Sequence, residues 1–209
     1  MNWMDRLERR FAFMAVPGLI TFLAGMNTVV YVLSMIRPEL RGGLDLEPRA
    51  LLQGEVWRAA TFLFVPPASE PLWFILWVTV LWSCGRALES AWGDFRFNLY
   101  YLIGTAATVA VSLALDSPLS ALSIHTSVFL AFAAVNPDLT FLLFFVVPVK
   151  AWWLAALTWV VLVWNFLVGR LPTRLSILAS VANYLLFFGP DHWSWLKLRW
   201  HHWRHRGRY

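Results

Sequence analysis

"SALSIHTSVFLAFAAVNPD" (Ser120–Asp138) starts as an apolar helix and stops early. Only about sixteen residues, Ser120–Val135, precede the Asn136–Pro137–Asp138 break. As a helix they extend about 24 Å, short of the roughly 30 Å of hydrocarbon in a bilayer. Such a helix begins below the membrane surface only where protein shields its polar end or a water-filled cavity receives it. Its first turns carry Ser123, His125, Thr126 and Ser127.

The rest of the chain supplies longer apolar runs. Hydrophobic residues make up 59% of the 209 and charged residues 14%, against about 45–50% and about 25% in soluble domains. The length suggests one domain. Five further apolar runs accompany the short one, giving a six-span, all-α polytopic membrane protein. Span 1 is expected over Phe11–Ile36, where Pro17 and Gly25 are tolerable in a membrane helix. The loop over residues 37–71 mixes charges with helix-like apolar spacing ("RALLQGEVWRAATFLFV", residues 49–65) and is expected to lie in the interface as short helices. Span 2 follows over Leu72–Leu88 and span 3 over Phe97–Leu115. After the short fourth helix, "LTFLLFFVVPV" (Leu139–Val149) is too short to span and is expected as an extended or interfacial segment. Span 5 covers Ala151–Val168 and span 6 Leu175–Phe188. The first ten residues lead into a run too long for a signal peptide and lacking a clear cleavage site, so span 1 is read as uncleaved. The organisation is an N-terminal segment (1–10), a membrane domain (11–189) and a basic, aromatic tail (190–209).

An even number of spans puts both termini on one side, and charge selects it. Arg6, Arg9, Arg10, Arg86, Arg96, Lys150 and the five tail cations fall on the side of the termini; Arg37, Arg41, Arg49, Arg58, Arg170 and Arg174 fall opposite. The positive-inside rule then places both termini in the cytoplasm, with the bacterial inner membrane the expected location. In the tail, Trp193, Leu196, Trp200 and Trp203 recur on one helical face with Lys197 and Arg199 beside them, the pattern of an in-plane helix on anionic lipid. Membrane lipid is thus an expected partner and nucleic acid is not. His202 and His205 are spaced for two metal ligands but have no acidic or thiol neighbour, so no metal site is expected. No helix carries paired histidines at haem spacing, and no cofactor is expected. Cys84 cannot form an intrachain disulfide and is read as core packing.

Within this frame, "GEVWRAATFLFV" places Glu55, Trp57, Arg58 and Thr61 in the first loop. "GRALESAWGDFRFNLYYLIG" places Gly85 and Glu89 four apart, followed by Gly93, Arg96, Phe97 and Tyr100–Tyr101, and "FLLFFVVPVKAWWLA" brings Pro148 before span 5. In order and spacing, over about residues 51–189, these resemble the rhomboid superfamily. The resemblance implies a six-helix bundle around a short fourth helix below an outward cavity. It implies a first loop organised by Trp57–Arg58, and Gly85 and Glu89 on the cytoplasmic part of span 2. Physically, Gly85 permits close helix approach, and Glu89 is costly in lipid and should face the bundle, hydrogen-bonded.

Active rhomboids cleave peptide bonds with a serine in G-x-S-G at the start of the fourth helix and a histidine in the sixth. Aligned on "FLAFAAV", the serine position falls at Thr126, with Ser127 next to it, and neither glycine is present. The histidine position falls near Ile177, and "TRLSILASVANYLLFFG" (residues 173–189) has no histidine. The second-helix His and Asn that support the oxyanion fall at Trp73 and Trp77. A serine without an adjacent base is a weak nucleophile, and His125, two residues from Ser127, does not face it on a helix. Thr126 and Ser127 are expected to bond carbonyls one turn back or to pack against a neighbouring helix, and His125 to be solvated or capping. Asn165 and Asn183 are expected to bond between helices. "NPDLTFLLFFVVPV" also resembles the proteolytically inactive Derlin branch. The function implied is a rhomboid-like pseudoprotease that binds transmembrane clients without cleaving them, through a lateral gate involving the tryptophan-rich span 5. The alternative is an intramembrane serine protease using Ser127, Thr126 or His125 unconventionally. A transporter or cofactor-binding protein is disfavoured by the lack of buried charge in spans 3 to 6.

Overall fold

The computed structural model describes residues 3–67, 70–143 and 147–187. The chain is a mostly helical membrane protein. Among the described residues four helices are long and apolar enough to cross a bilayer: α2 (Leu19–Ile36), α6 (Pro71–Trp92), α7 (Asp94–Leu115) and α9 (Ala151–Val168). Two shorter apolar helices, α8 (Leu122–Val135) and α10 (Leu171–Phe187), accompany them. The remaining helices are α1 (Trp3–Phe11) and, between α2 and α6, α3 (Glu39–Leu44), α4 (Pro48–Leu52) and α5 (Arg58–Thr61). Single 3-10 turns follow α1 (Ala12–Met14) and α5 (Phe62–Phe64).

The first helix does not run through from Phe11 as its hydropathy suggests. Proline removes a backbone donor and disfavours the α conformation in the residue before it. Gly18 then takes φ +68°, a left-handed turn that glycine adopts without strain. Pro17–Gly18 therefore separates a charged amphipathic helix from the spanning one, and α2 starts at Leu19. The boundary between N-terminal segment and membrane helix lies here, not at residue 11. Gly93, at φ +81°, makes the corresponding break between α6 and α7, so both helices extend further than their apolar runs: α6 to Trp92 and α7 back to Asp94.

The fourth helix is indeed short, with 14 residues. The segment after it is extended, as expected, and forms a small two-stranded antiparallel pair in an otherwise helical fold. β1 (Thr140–Leu143) pairs antiparallel with β2 (Val147–Lys150), in the register Thr140 opposite Lys150 and Leu142 opposite Pro148. β-Branched and aromatic residues favour strands, and a salt bridge from Lys150 Nζ to Asp138 Oδ1 (3.0 Å) ties the open end. Helix α9 has the span predicted from sequence, and α10 starts four residues earlier than expected, at Leu171.

Helix α6 is the organising element, packed against α2, α7 and α8. Its contact with α2 is close because Gly85 has no side chain: a Cβ there would lie 2.9 Å from Ile20 Cβ, and Ile20 is fully buried. Around this contact Leu23, Leu81, Cys84, Leu88, Phe97, Tyr100 and Val128 form one core. The outward faces of α2 (Phe22, Val29, Val32, Met35) and α9 (Trp153, Val160, Val163, Trp164) are exposed and apolar, as lipid contact requires. Only Ala151 of α9 is buried.

Candidate functional site

The first loop is built on Arg58. Its guanidinium is buried and reaches three partners: Nε donates to Glu55 Oε2 at 2.6 Å, and Nη1 donates to the carbonyls of Gly42 (2.6 Å) and Asp45 (2.9 Å). Thr61 Oγ1 adds a bond to Leu44 O at 3.1 Å. These bonds hold α3 against α5, so the loop is a folded cap. Trp57, its sequence neighbour, is 52% exposed; of the pair, Arg58 makes the loop's internal bonds. Asn27, buried in α2, fastens the cap to the bundle by donating to Leu63 O at 3.0 Å. Arg49 forks onto Asp116, the left-handed residue that ends α7, with Nη2 to Oδ2 at 2.7 Å.

The other positions singled out in the sequence make the following contacts. Glu89 is buried in α6 with its carboxyl close to the backbone N–H groups of Leu19 and Ile20, and its Oε1 has no hydrogen-bond partner. It caps the start of α2 from a neighbouring helix, meeting the unsatisfied donors and positive dipole found there. The sequence shows that Glu89 should face the bundle, but not what it meets there. Arg96 Nε donates to Glu8 Oε2 at 2.9 Å and so docks α1 on α7. Pro148 lies in β2.

At the head of α8 the polar residues separate. Thr126 Oγ1 donates to Leu122 O (2.8 Å) and Ser127 Oγ to Ile124 O (2.7 Å), the one-turn-back bonds expected of them. Ser127 is buried beside Tyr100. His125 is not solvated or capping: it is 4% exposed, and neither ring nitrogen has a hydrogen-bond partner. It is enclosed because the neighbouring helices carry rings. Trp77 of α6 meets it edge-on at 5.3 Å, and Tyr101 of α7 lies 6.5 Å away. The row of rings continues through Phe74 to Tyr31 of α2, stacked at 3.9 Å. A cavity of about 210 Å³ opens beside His125, between α6 and α9 on the surface of α8. Trp77, Cys84, Thr126, Phe129 and Thr158 contribute to its wall, and Ser127 does not.

Helix α10 brings no base to this site. Ile177 occupies the face turned to the bundle together with Ser176, Ser180, Asn183 and Tyr184. Ser176 and Ser123 share a hydrogen bond of 2.6 Å that fixes α10 to the head of α8. Asn183 Nδ2 donates to Tyr100 O at 3.2 Å, an interhelical bond as expected; Asn165 instead bonds Val161 O of its own helix (2.8 Å). Gly104, which the sequence reading passed over, lets Asn183 approach: a Cβ there would sit 3.0 Å from Asn183 Nδ2. Its signal was a glycine inside an uninterrupted apolar helix. Thr158 was also missed, since a threonine in a membrane helix most often satisfies its own backbone, and it does so here (2.8 Å to Leu154 O).

Among the described residues no cluster of three or more metal-ligating side chains occurs. Trp193, Lys197, Arg199, Trp200, Trp203 and the tail histidines lie outside the described residues. No family model matches the chain, and no curated protein matches it.

Proposed function

We propose that this chain is a rhomboid-like, six-span membrane pseudoprotease that receives a transmembrane segment of a client protein between α6 and α9 without cleaving it. The observation that carries the proposal is the cavity over α8, which holds an unpartnered His125 while the Ser127 hydroxyl is turned away to Ile124 O. A nucleophile needs its base within hydrogen-bond reach and oriented. Ser127 has a carbonyl there instead, and α10 offers amide, hydroxyl and aliphatic groups.

The position of α9 supports lateral entry. It packs on α8 and β2, and its one buried residue sits at its first position. Displacing it breaks little packing, and packing is what holds membrane helices together. The exposed Trp153 and Trp164 then serve as a broad apolar face for an arriving helix.

The test is photocrosslinking in liposomes. A benzophenone amino acid at Thr158 or Trp77 should capture a single-span client peptide intact, whereas the same probe at Val29, on the lipid face of α2, should not. Cleaved peptide whose appearance depends on Ser127 or Thr126 would establish the protease alternative. Equal capture at all three positions would remove the binding site.

A further inference from the structure

A second, larger hollow lies on a different face of the bundle. A groove of about 500 Å³ runs between α2 and α7, floored by Leu23, Leu63, Leu99 and Leu102, with Leu7 and Phe11 of α1 over one end. Its walls are almost wholly apolar. Asn98 Nδ2 already donates to Val16 O (2.9 Å) and Asp94 O (2.7 Å), and Thr105 Oγ1 to Tyr101 O (2.8 Å).

Depth and charge limit what fits. Along α7 the groove extends from Phe95 to Thr105, which is about 15 Å at helical rise. That is one leaflet, half of a hydrocarbon core of about 30 Å, and too shallow to seat a spanning helix. Its mouth is at the level of α1, whose Leu7 and Phe11, continued by Met14 in the next turn, face the groove while Arg6, Arg9 and Arg10 are exposed. Arg10 lies over the Phe11 ring, 5.7 Å from its centre. The Arg96–Glu8 ion pair fixes α1 in this place. An apolar slot one leaflet deep with cations at its mouth has the form of a phospholipid: chain below, anion above.

We propose that this groove binds one acyl chain of an anionic glycerophospholipid, whose phosphate is met by Arg6 and Arg10. The Pro17–Gly18 break serves this arrangement, because a continuous helix from residue 3 would carry α1 away from the groove mouth.

The experiment is native mass spectrometry of the full chain in non-ionic detergent, titrated with phosphatidylglycerol or with phosphatidylcholine of the same chains. Phosphatidylglycerol should form the more abundant one-to-one adduct. Paired Arg6→Gln and Arg10→Gln should reduce that preference by roughly fivefold for each arginine, while leaving residual binding of either lipid. Leu102 is 66% exposed, so Leu102→Trp fills the groove without entering the core and should abolish most of the adduct. Thr105→Trp should do the same from the deep end, and Leu113→Trp, on α7 beyond the groove, should not. Equal binding of the two lipids, or an undiminished adduct in both groove-filling variants, overturns the proposal. So does a wild-type dimer that Leu102→Trp converts to monomer, because a second copy would then be the occupant.

Discussion

Gly85 of α6 and Ile20 of α2 occupy one another's space: where glycine has no side chain, the Ile20 side chain fills the position a Cβ would take. Bundle packing at this level depends on that single absence. Gly85→Ala should lower thermal stability in detergent by about 1–3 kcal/mol through overpacking, and Gly85→Val by more. Gly25, on the same helix as Ile20, has nothing within 4 Å of a Cβ position. Gly25→Ala should be neutral or slightly stabilising, because glycine in a helix interior is unfavourable by about 0.5–1 kcal/mol relative to alanine. A static light-scattering melt of both variants compares them directly.

Arg58 and the cap it organises should fail together. Arg58→Ala leaves the Gly42 and Asp45 carbonyls and Glu55 without their shared donor. These acceptors are only part-buried, and each lost bond is worth about 0.5–1.5 kcal/mol. Limited proteolysis should then cut within residues 42–61 at protease levels that leave the parent intact. Arg58→Lys, which cannot reproduce a fork of separate donors, should rescue only part of the protection.

Glu89→Ala should expose the start of α2 and cost about 1 kcal/mol, the size of a lost N-cap. Glu89→Gln keeps an acceptor and should lose less. Hydrogen exchange at Leu19 and Ile20 is the specific readout, and faster exchange confined to those amides is the expected result.

Acid should loosen the join between α4 and the end of α7. Arg49 holds the Asp116 carboxyl below its ordinary value near 3.8, chiefly by hydrogen bonding, with desolvation opposing and the Arg49 charge adding a smaller lowering. A depressed carboxyl contributes stability that is complete above its unfolded value and is lost as pH falls through the folded one. The effect should therefore emerge only below about pH 4, and it should be small because the pair is exposed. Asp116→Asn should give a melting temperature that no longer falls more steeply below pH 4 than at pH 5.

His125 should be dispensable for stability and necessary for capture. Its two ring nitrogens are buried without partners, and replacing an unsatisfied polar group by an apolar one of similar size is near neutral or stabilising. His125→Phe should melt at or above the parent temperature while reducing client crosslinking from Thr158. Ser127→Ala should leave crosslinking unchanged.

Much of this was legible along the chain. Hydropathy gave the class and the full extent of α9. The Asn–Pro break gave a short α8. The residue types gave the close approach at Gly85 and a Glu89 turned to the bundle, because any charge or glycine at those depths has few acceptable surroundings; Glu89 Oε1 nevertheless has no hydrogen-bond partner. The start of α2 was misplaced for a local reason: hydropathy continues across Pro17–Gly18, and only backbone geometry interrupts it.

The sequence by itself determined that this is a membrane protein of long apolar helices with a short one among them, since transfer energies and helix length follow from composition and run length. Tertiary structure decided that His125 is enclosed, that Ser127 bonds Ile124, that Arg58 holds Gly42 and Asp45, and that a groove separates α2 from α7. Each is set by atoms that distant segments bring together. Periodicity can report which face of a helix is apolar, but not which ring, carbonyl or empty space will meet it.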